Sequence, residues 1–373
     1  MTSNVETIYQ NALLADAAYI DFKKGADLEI DGKIKDEETY PLFRDRGFTL
    51  EQFDKFQNKY KVYQAPNGEL AHQQNTLDGF AATIFQDRAT EKLTVAFRGT
   101  EPGGGIVPGS DLLQDVILAL GLSSTLGQVM QDGKIDGFLE SAGLVDSSGN
   151  PSVGFEHQVD FVGHSLGGHL TLMAAYAYPG LLDQAHTFNG AGTTGLDSLY
   201  LDHVKPLLAP LMNQVVLDPN RINNYFAKPG FEVTANEFPF LRSGQGDRDG
   251  LFIEKQGADL SMDNHSMRFL VDALSVQRIL ALLGGNLDPG VTDTMLWQAH
   301  NREIEIRADN GTPDASNPDK AAKSLDLVMA HLATVLGGAF AALNTLNDAE
   351  AFYSELTATG APVFTLKTLS GIG

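Results

Sequence analysis

The sequence predicts an α/β fold: a mostly parallel sheet flanked by helices, with an antiparallel N-terminal edge and a helical C-terminal extension. Three observations lead there. Apolar β runs alternate with helical runs from about residue 159 to residue 283, the order that builds βαβ crossovers and covers a parallel sheet on both faces. Before them, GFAATIFQD and EKLTVAFRGT are separated only by the polar stretch Asp87 to Glu91, as in an antiparallel hairpin. The 373 residues are 43% hydrophobic and 20% charged, close to globular averages, so the chain has enough apolar surface to bury a sizeable core.

Taken in order, Val5, Ile8, Ala12, Leu13 and Ala17 recur at helical spacing, which opens the chain with an amphipathic packing helix over residues 4 to 20. Residues 27 to 58 are polar with scattered aromatics (Tyr40, Phe43, Phe53, Phe56), a pattern suited to loops and short helices. Strand texture starts at Tyr60 with YKVYQ and continues into the hairpin. A glycine-rich loop, TEPGGGIVPGS, then leads through Asp111 into the helical run DLLQDVILALGL. Next come the strand VDFVG, the helix HLTLMAAYAYP, the strand HTFNGAG, the helical LYLDHVKPLLAPLMNQV and the strand RINNYFA. LFIEKQ (Leu251 to Gln256) reads as the last strand, followed by helices from about His265 to Leu283 and from about Ala321 to Leu346, with a loop over 309–319. This divides the chain into an α/β domain, 1–283, and a helical extension with its tail, 284–373.

Charge and composition exclude several classes. With 26 Lys plus Arg against 48 Asp plus Glu, the net charge is −22, and no basic run is present to hold a phosphate backbone, so nucleic acid is not a partner. The absence of cysteine removes disulfides and thiolate metal sites. The N-terminal MTSNVETIYQNALLADAAYI lacks the basic and uninterrupted apolar regions of a secretory signal. The longest apolar stretch, Ala330 to Leu346, is interrupted by His331 and Asn344 and falls short of the ~20 residues of a membrane span, so it reads as a buried helix.

Chemistry is concentrated in Gly163-His164-Ser165-Leu166-Gly167, a G-x-S-x-G placed between a β run and a helical run. A serine on such a turn adopts a strained backbone and needs small neighbours, which Gly163, Gly167 and Gly168 supply. The following helix start stabilises negative charge that develops beside it. A serine hydroxyl needs a histidine base oriented by a carboxylate, in the chain order Ser, acid, His. Of the six histidines after Ser165, His265 lies just past the expected last strand, where a loop meets a helix. His169 is expected to pack on the elbow helix, His186 to open a strand, and His203, His300 and His331 to sit in helices.

The acid follows the strand before that of the histidine, which places it at Glu232 in KPGFEVT; Asp218, Asp247 and Asp249 are alternatives less well placed. Their bland reading is loop capping or a weak cation site, since D-R-D-G at 247–250 is a fragment of a calcium loop. Two oxyanion donors are expected, the backbone N–H of Leu166 and Thr100 at the end of the strand AFRGT. No cofactor or metal enters this chemistry, and a structural calcium has no further support.

These segments together resemble the class 3 lipase group of α/β-hydrolases, particularly the catalytic domains of bacterial secreted lipases and phospholipases A1 that carry glycine-rich calcium repeats. The likeness spans most of residues 60 to 283, through GFAATIFQD with LTVAFRGTE, GSDLLQDV, VDFVGHSLGGHL, HTFNGAG, INNYFAKPGFEVTA and DNHSMRFLVDAL. It implies Ser165 as nucleophile, His265 as base, and Thr100 and Leu166 as oxyanion donors. Where that family has an Asp, often followed by Pro, this chain reads Phe231-Glu232-Val233. The resemblance further implies a lipid or phospholipid substrate, export without a cleaved N-terminal signal, and a chain that is the catalytic region of a longer secreted protein. The apolar stretch Leu199 to Val216, broken by Pro206 and Pro210, is a candidate lid.

Overall fold

The computed structural model describes residues 2–22, 36–74, 80–99, 128–194, 216–228, 241–242, 247–253 and 265–284. Helix α1 (Thr2–Ala17) matches the expected opening helix, but it is buried on more than one stripe: Ile8, Tyr9, Leu13, Leu14, Asn11 and Asp16 are all covered. The sheet and the last described helix enclose it from two sides, which explains the weak amphipathic periodicity. The polar stretch with scattered aromatics forms two short helices, α2 (Asp36–Asp45) and α3 (Leu50–Lys59). Helix α3 starts at a capping box in which Thr49 and Gln52 bond each other's backbone N–H. The aromatics are its cargo: Phe43 stands 5.0 Å from Phe53 and 5.3 Å from Phe56, centroid to centroid, and all three are buried.

Strands β1 (Tyr60–Val62) and β2 (His72–Gln74) both pair antiparallel with β3 (Ala81–Asp87), which forms the expected hairpin with β4 (Leu93–Phe97). Helix α4 (Gln128–Ser141) precedes β5 (Val159–His164), and α5 (Leu166–Ala177) joins β5 to β6 (Leu182–Phe188). The two-residue β7 (Thr193–Thr194) pairs with β9 (Leu241–Arg242), while β8 (Ile222–Lys228) and β10 (Asp247–Phe252) extend the main sheet. Helix α6 (Met267–Gly284) follows.

Among the described residues, eight strands form one sheet in the order β1-β3-β4-β5-β6-β8-β10, with β2 also on β3, and every neighbour from β4 to β10 is parallel. This is the predicted α/β architecture, a mostly parallel sheet flanked by helices, with its antiparallel N-terminal edge. The parallel strands step across the sheet in chain order. Right-handed crossovers therefore put α4 and α5 on one face, and α1 and α6 cover the other. Each face has its own core: Phe138, Leu139, Leu170 and Leu172 pack on Val95, Phe97 and Phe161, while Leu13, Leu14, Leu270 and Leu274 pack on Ala96, Val162 and Phe188.

Two expectations shift. β6 begins at Leu182, so His186 is a buried interior residue rather than the start of a strand. β10 begins at Asp247, so D-R-D-G is strand, not loop: Asp247 pairs with Asn223 and Asp249 with Tyr225, and ladder bonds to β8 override the local turn signal. The helical runs expected over 111–122, 199–215 and 321–346, and the extension beyond Gly284, lie outside the described residues. No helix among the described residues is long and apolar enough to cross a membrane.

Candidate active site

Strand β5 is buried along its whole length and delivers Ser165 to the sheet's carboxyl edge, where α5 begins. Ser165 has φ 58 and ψ −126, a conformation that an L-residue holds only when its surroundings over-determine it. They do so here. The Ser165 N–H donates to the Phe188 carbonyl at 3.2 Å, and its carbonyl accepts from Gly168 at 3.0 Å and Ala191 at 2.9 Å.

The glycines of the motif are required by close approach. A Cβ on Gly163 would overlap the Gly167 backbone, one on Gly167 would overlap the Phe97 carbonyl, and one on Gly168 would stand 2.5 Å from the Cα of Gly190. Thus the first turn of α5 lies directly on the ends of β4 and β6. Ser165 also occupies the N-cap position, where a serine hydroxyl ordinarily accepts an N–H from the first turn, yet it makes no cap bond. Leu166 is the first helical residue, so its N–H has no acceptor within the helix.

His265 sits just before α6 and is only 8% exposed. Its ring centroid lies 4.7 Å from that of His164, and its carbonyl oxygen is 2.7 Å from His164 Nε2. The fold thus brings the predicted base against the residue immediately preceding the predicted nucleophile, across 101 positions of sequence. His164 in turn meets the Tyr19 hydroxyl through Nδ1 at 2.9 Å. Burial, and then the nearby His265, hold the His164 pKa well below the ordinary imidazole range. Sequence reasoning missed both His164 and Tyr19: the first fills a variable position of the motif, and no local pattern signals the second.

Thr100 and Glu232 lie outside the described residues, as does the lid candidate apart from Val216. Gly99, which precedes Thr100, is buried against the elbow: a Cβ there would be 2.7 Å from the His164 carbonyl oxygen and 3.0 Å from Ser165 Cβ. Asp218 is exposed and caps the short turn Pro219–Arg221 by accepting from Asn220 N–H at 3.0 Å, the bland role expected of it. Asp247 and Asp249 are exposed on β10. His169 packs on the elbow helix as expected, donating from Nδ1 to the Gly192 carbonyl at 3.0 Å. Among the described residues no group of acidic residues and histidines is arranged to hold a metal ion.

The sequence matches no protein-family model and no curated protein. Solved structures similar to this chain include the Lip2 lipase of Yarrowia lipolytica, at 13% identity over 67% of this chain and 79% of that one, with a TM-score of 0.37. A lipase from Rhizopus microsporus var. chinensis is 15% identical over 69% and 77%, with a TM-score of 0.35. A triacylglycerol lipase from Penicillium expansum is 12% identical over 67% and 80%, also at 0.35.

Proposed function

We propose that the chain is a serine hydrolase of carboxylic esters, with lipid acyl esters as its substrates. The observation that carries this reading is Ser165: a serine held by three backbone hydrogen bonds in a strained elbow, at an N-cap position, with its hydroxyl not used for capping. In this reading Ser165 Oγ attacks the ester carbonyl while His265 takes its proton. The oxyanion meets the N–H of Leu166 and a donor at Thr100. His265 returns the proton to the departing alcohol, and water attacks the acyl-enzyme by the same route. Glu232 orients His265. The lipid class rests on the resemblance of the motif segments to class 3 lipases, and a phospholipase A1 or a triacylglycerol lipase are its two forms. The net charge of −22 favours zwitterionic over anionic lipid surfaces.

The test is covalent. A fluorophosphonate phosphonylates Ser165 of the wild-type protein with loss of fluoride, adding its mass less HF, and Ser165→Ala takes up none while melting at the same temperature; an unlabelled wild type sinks the reading. Chromatography of fatty acids released from a phosphatidylcholine with two different chains, beside a triglyceride, then decides the substrate: release of the first chain marks a phospholipase A1. Glu232→Gln lowers turnover by about 10⁴ if it orients the base, while Asp218→Asn and Asp247→Asn leave it unchanged. A loss at Asp218 instead would move the acid.

A further inference from the structure

Three segments of the proposed site meet at one pair of side chains that take no part in the reaction. A carbonyl oxygen only accepts hydrogen bonds, so the 2.7 Å contact to His265 fixes the hydrogen of His164 on Nε2. Nδ1 of the neutral ring is then an acceptor, and the Tyr19 hydroxyl donates to it at 2.9 Å. The Tyr19 hydroxyl also lies close against the backbone of Gly99. Gly99 lies just beyond the end of β4 and precedes Thr100 in sequence, and its lack of a side chain is what lets the hydroxyl approach: a Cβ there would lie 2.5 Å from it. The hydrogen-bonded series runs from Tyr19 through His164 to His265, each donor in it with one acceptor, and Gly99 packs against its Tyr19 end.

The ring of Tyr19 is itself fixed. The Arg46 guanidinium stacks on it at 4.2 Å and bonds the buried Asp16 at 2.8 Å, one turn back on α1. Burial disfavours the charged form of both members, pushing the Tyr19 pKa up and the His164 pKa down, so neither changes protonation in the working range.

We propose that Tyr19 and His164 form a neutral clasp that positions the base His265, and the backbone at Gly99, against the nucleophile elbow. It rests on the serine-hydrolase reading above. The clasp holds the base by its main-chain carbonyl and itself occupies neither ring nitrogen of His265. Tyr19 and His164 are positioning residues, and they give the N-terminal helix a role beyond packing.

The test measures the second-order rate of fluorophosphonate attack on Ser165 across pH, with a melting curve for each variant. Tyr19→Phe keeps the ring and its stacking but removes the hydroxyl; its plateau rate should fall about tenfold, the worth of one hydrogen bond, and ester turnover should lose kcat with KM unchanged. His164→Gln retains a donor and an acceptor and should recover most of the rate that His164→Leu loses. In ¹⁵N-histidine spectra the ring whose signals vanish in His164→Gln should be in the Nε2–H form and stay neutral where a free imidazole protonates. If Tyr19→Phe merely melts earlier and is labelled at the wild-type rate well below its melting point, the clasp is only structural and the inference is overturned. A wild type that takes no label overturns the underlying hydrolase reading, a different and separable result.

Discussion

His164 and His186 are buried on the same face of adjacent strands, since His164 pairs with Phe188 and His186 with Val162. At the carboxyl edge, both nitrogens of His164 are hydrogen bonded to neutral groups, a hydroxyl and a carbonyl. Deeper in the sheet His186 stacks on Tyr225, with ring centroids 6.0 Å apart, and among the described residues its Nδ1 has no partner. The charges of Lys92 and Asp183 act on it, and Lys92 itself lies 2.8 Å from Asp160 and 2.7 Å from Asp183. The contrast separates two uses of buried polarity. A fully paired neutral network fixes geometry because its members keep their protonation state while folded, whereas a charged cluster beside an unsatisfied imidazole brings together two groups whose pH dependences of stability oppose each other.

The sharpest way to break the carboxyl edge is Gly167→Ala. The new methyl would overlap the Phe97 carbonyl oxygen and lie 2.9 Å from the Arg98 carbonyl carbon, both backbone atoms that no rotamer change removes. A loss of about 3 kcal/mol or more is expected, at the upper end of overpacking costs. Gly137→Ala is the matched control: it lies in α4, where a Cβ meets nothing within 4 Å, and helix propensity favours alanine there by up to about 1 kcal/mol. Denaturant midpoints of the two variants should move in opposite directions; equal shifts would mean the elbow is not packed as described.

The carboxyl edge was legible in the sequence because its constraints are local. Gly163, Ser165 and Gly167 stand within five positions, and the β run before them and helical run after them fix their setting. Alternation likewise gave the hairpin and the parallel strands. What was illegible depends on distance in the chain: Tyr19 reaches His164 across 145 positions, and nothing around Tyr19 marks it out from the other aromatics of the N-terminal region. The start of β10 was misplaced because Asp247, Arg248, Asp249 and Gly250 look like a turn to local chemistry, and only pairing with β8 makes them a strand. His186 was misread for a related reason, since Asp183 and Gln184 hide the polar start of β6.

The deeper cluster yields the smallest effect, and its sign can be worked out. Burial raises the Asp160 pKa to about 6 despite the attraction of Lys92, so between about pH 4 and pH 6 the folded state holds a proton that the unfolded chain has released. Its contribution to stability therefore grows as pH falls through that window. Burial lowers the His186 pKa to about 4, with Lys92 as the lesser cause, so between about pH 4 and pH 6.5 the unfolded chain holds the extra proton. That contribution is lost as pH falls. Each shift is about two units, on the order of 3 kcal/mol, and the two oppose each other over nearly the same range. Asp160→Asn keeps an oxygen for the Gln184 N–H that Asp160 Oδ1 now accepts but removes the compensating ionisation, so its stability should fall more steeply than wild type from about pH 6.5 to about pH 4.5. His186→Phe keeps an aromatic ring against Tyr225, removes the unpartnered nitrogen, and should flatten or reverse the slope. The acid penalty of the buried His164 is common to all three proteins and cancels in the comparison. Denaturant midpoints at the two pH values decide it: parallel shifts in wild type and Asp160→Asn would show that Lys92 outweighs burial at Asp160 and keeps it ionised throughout.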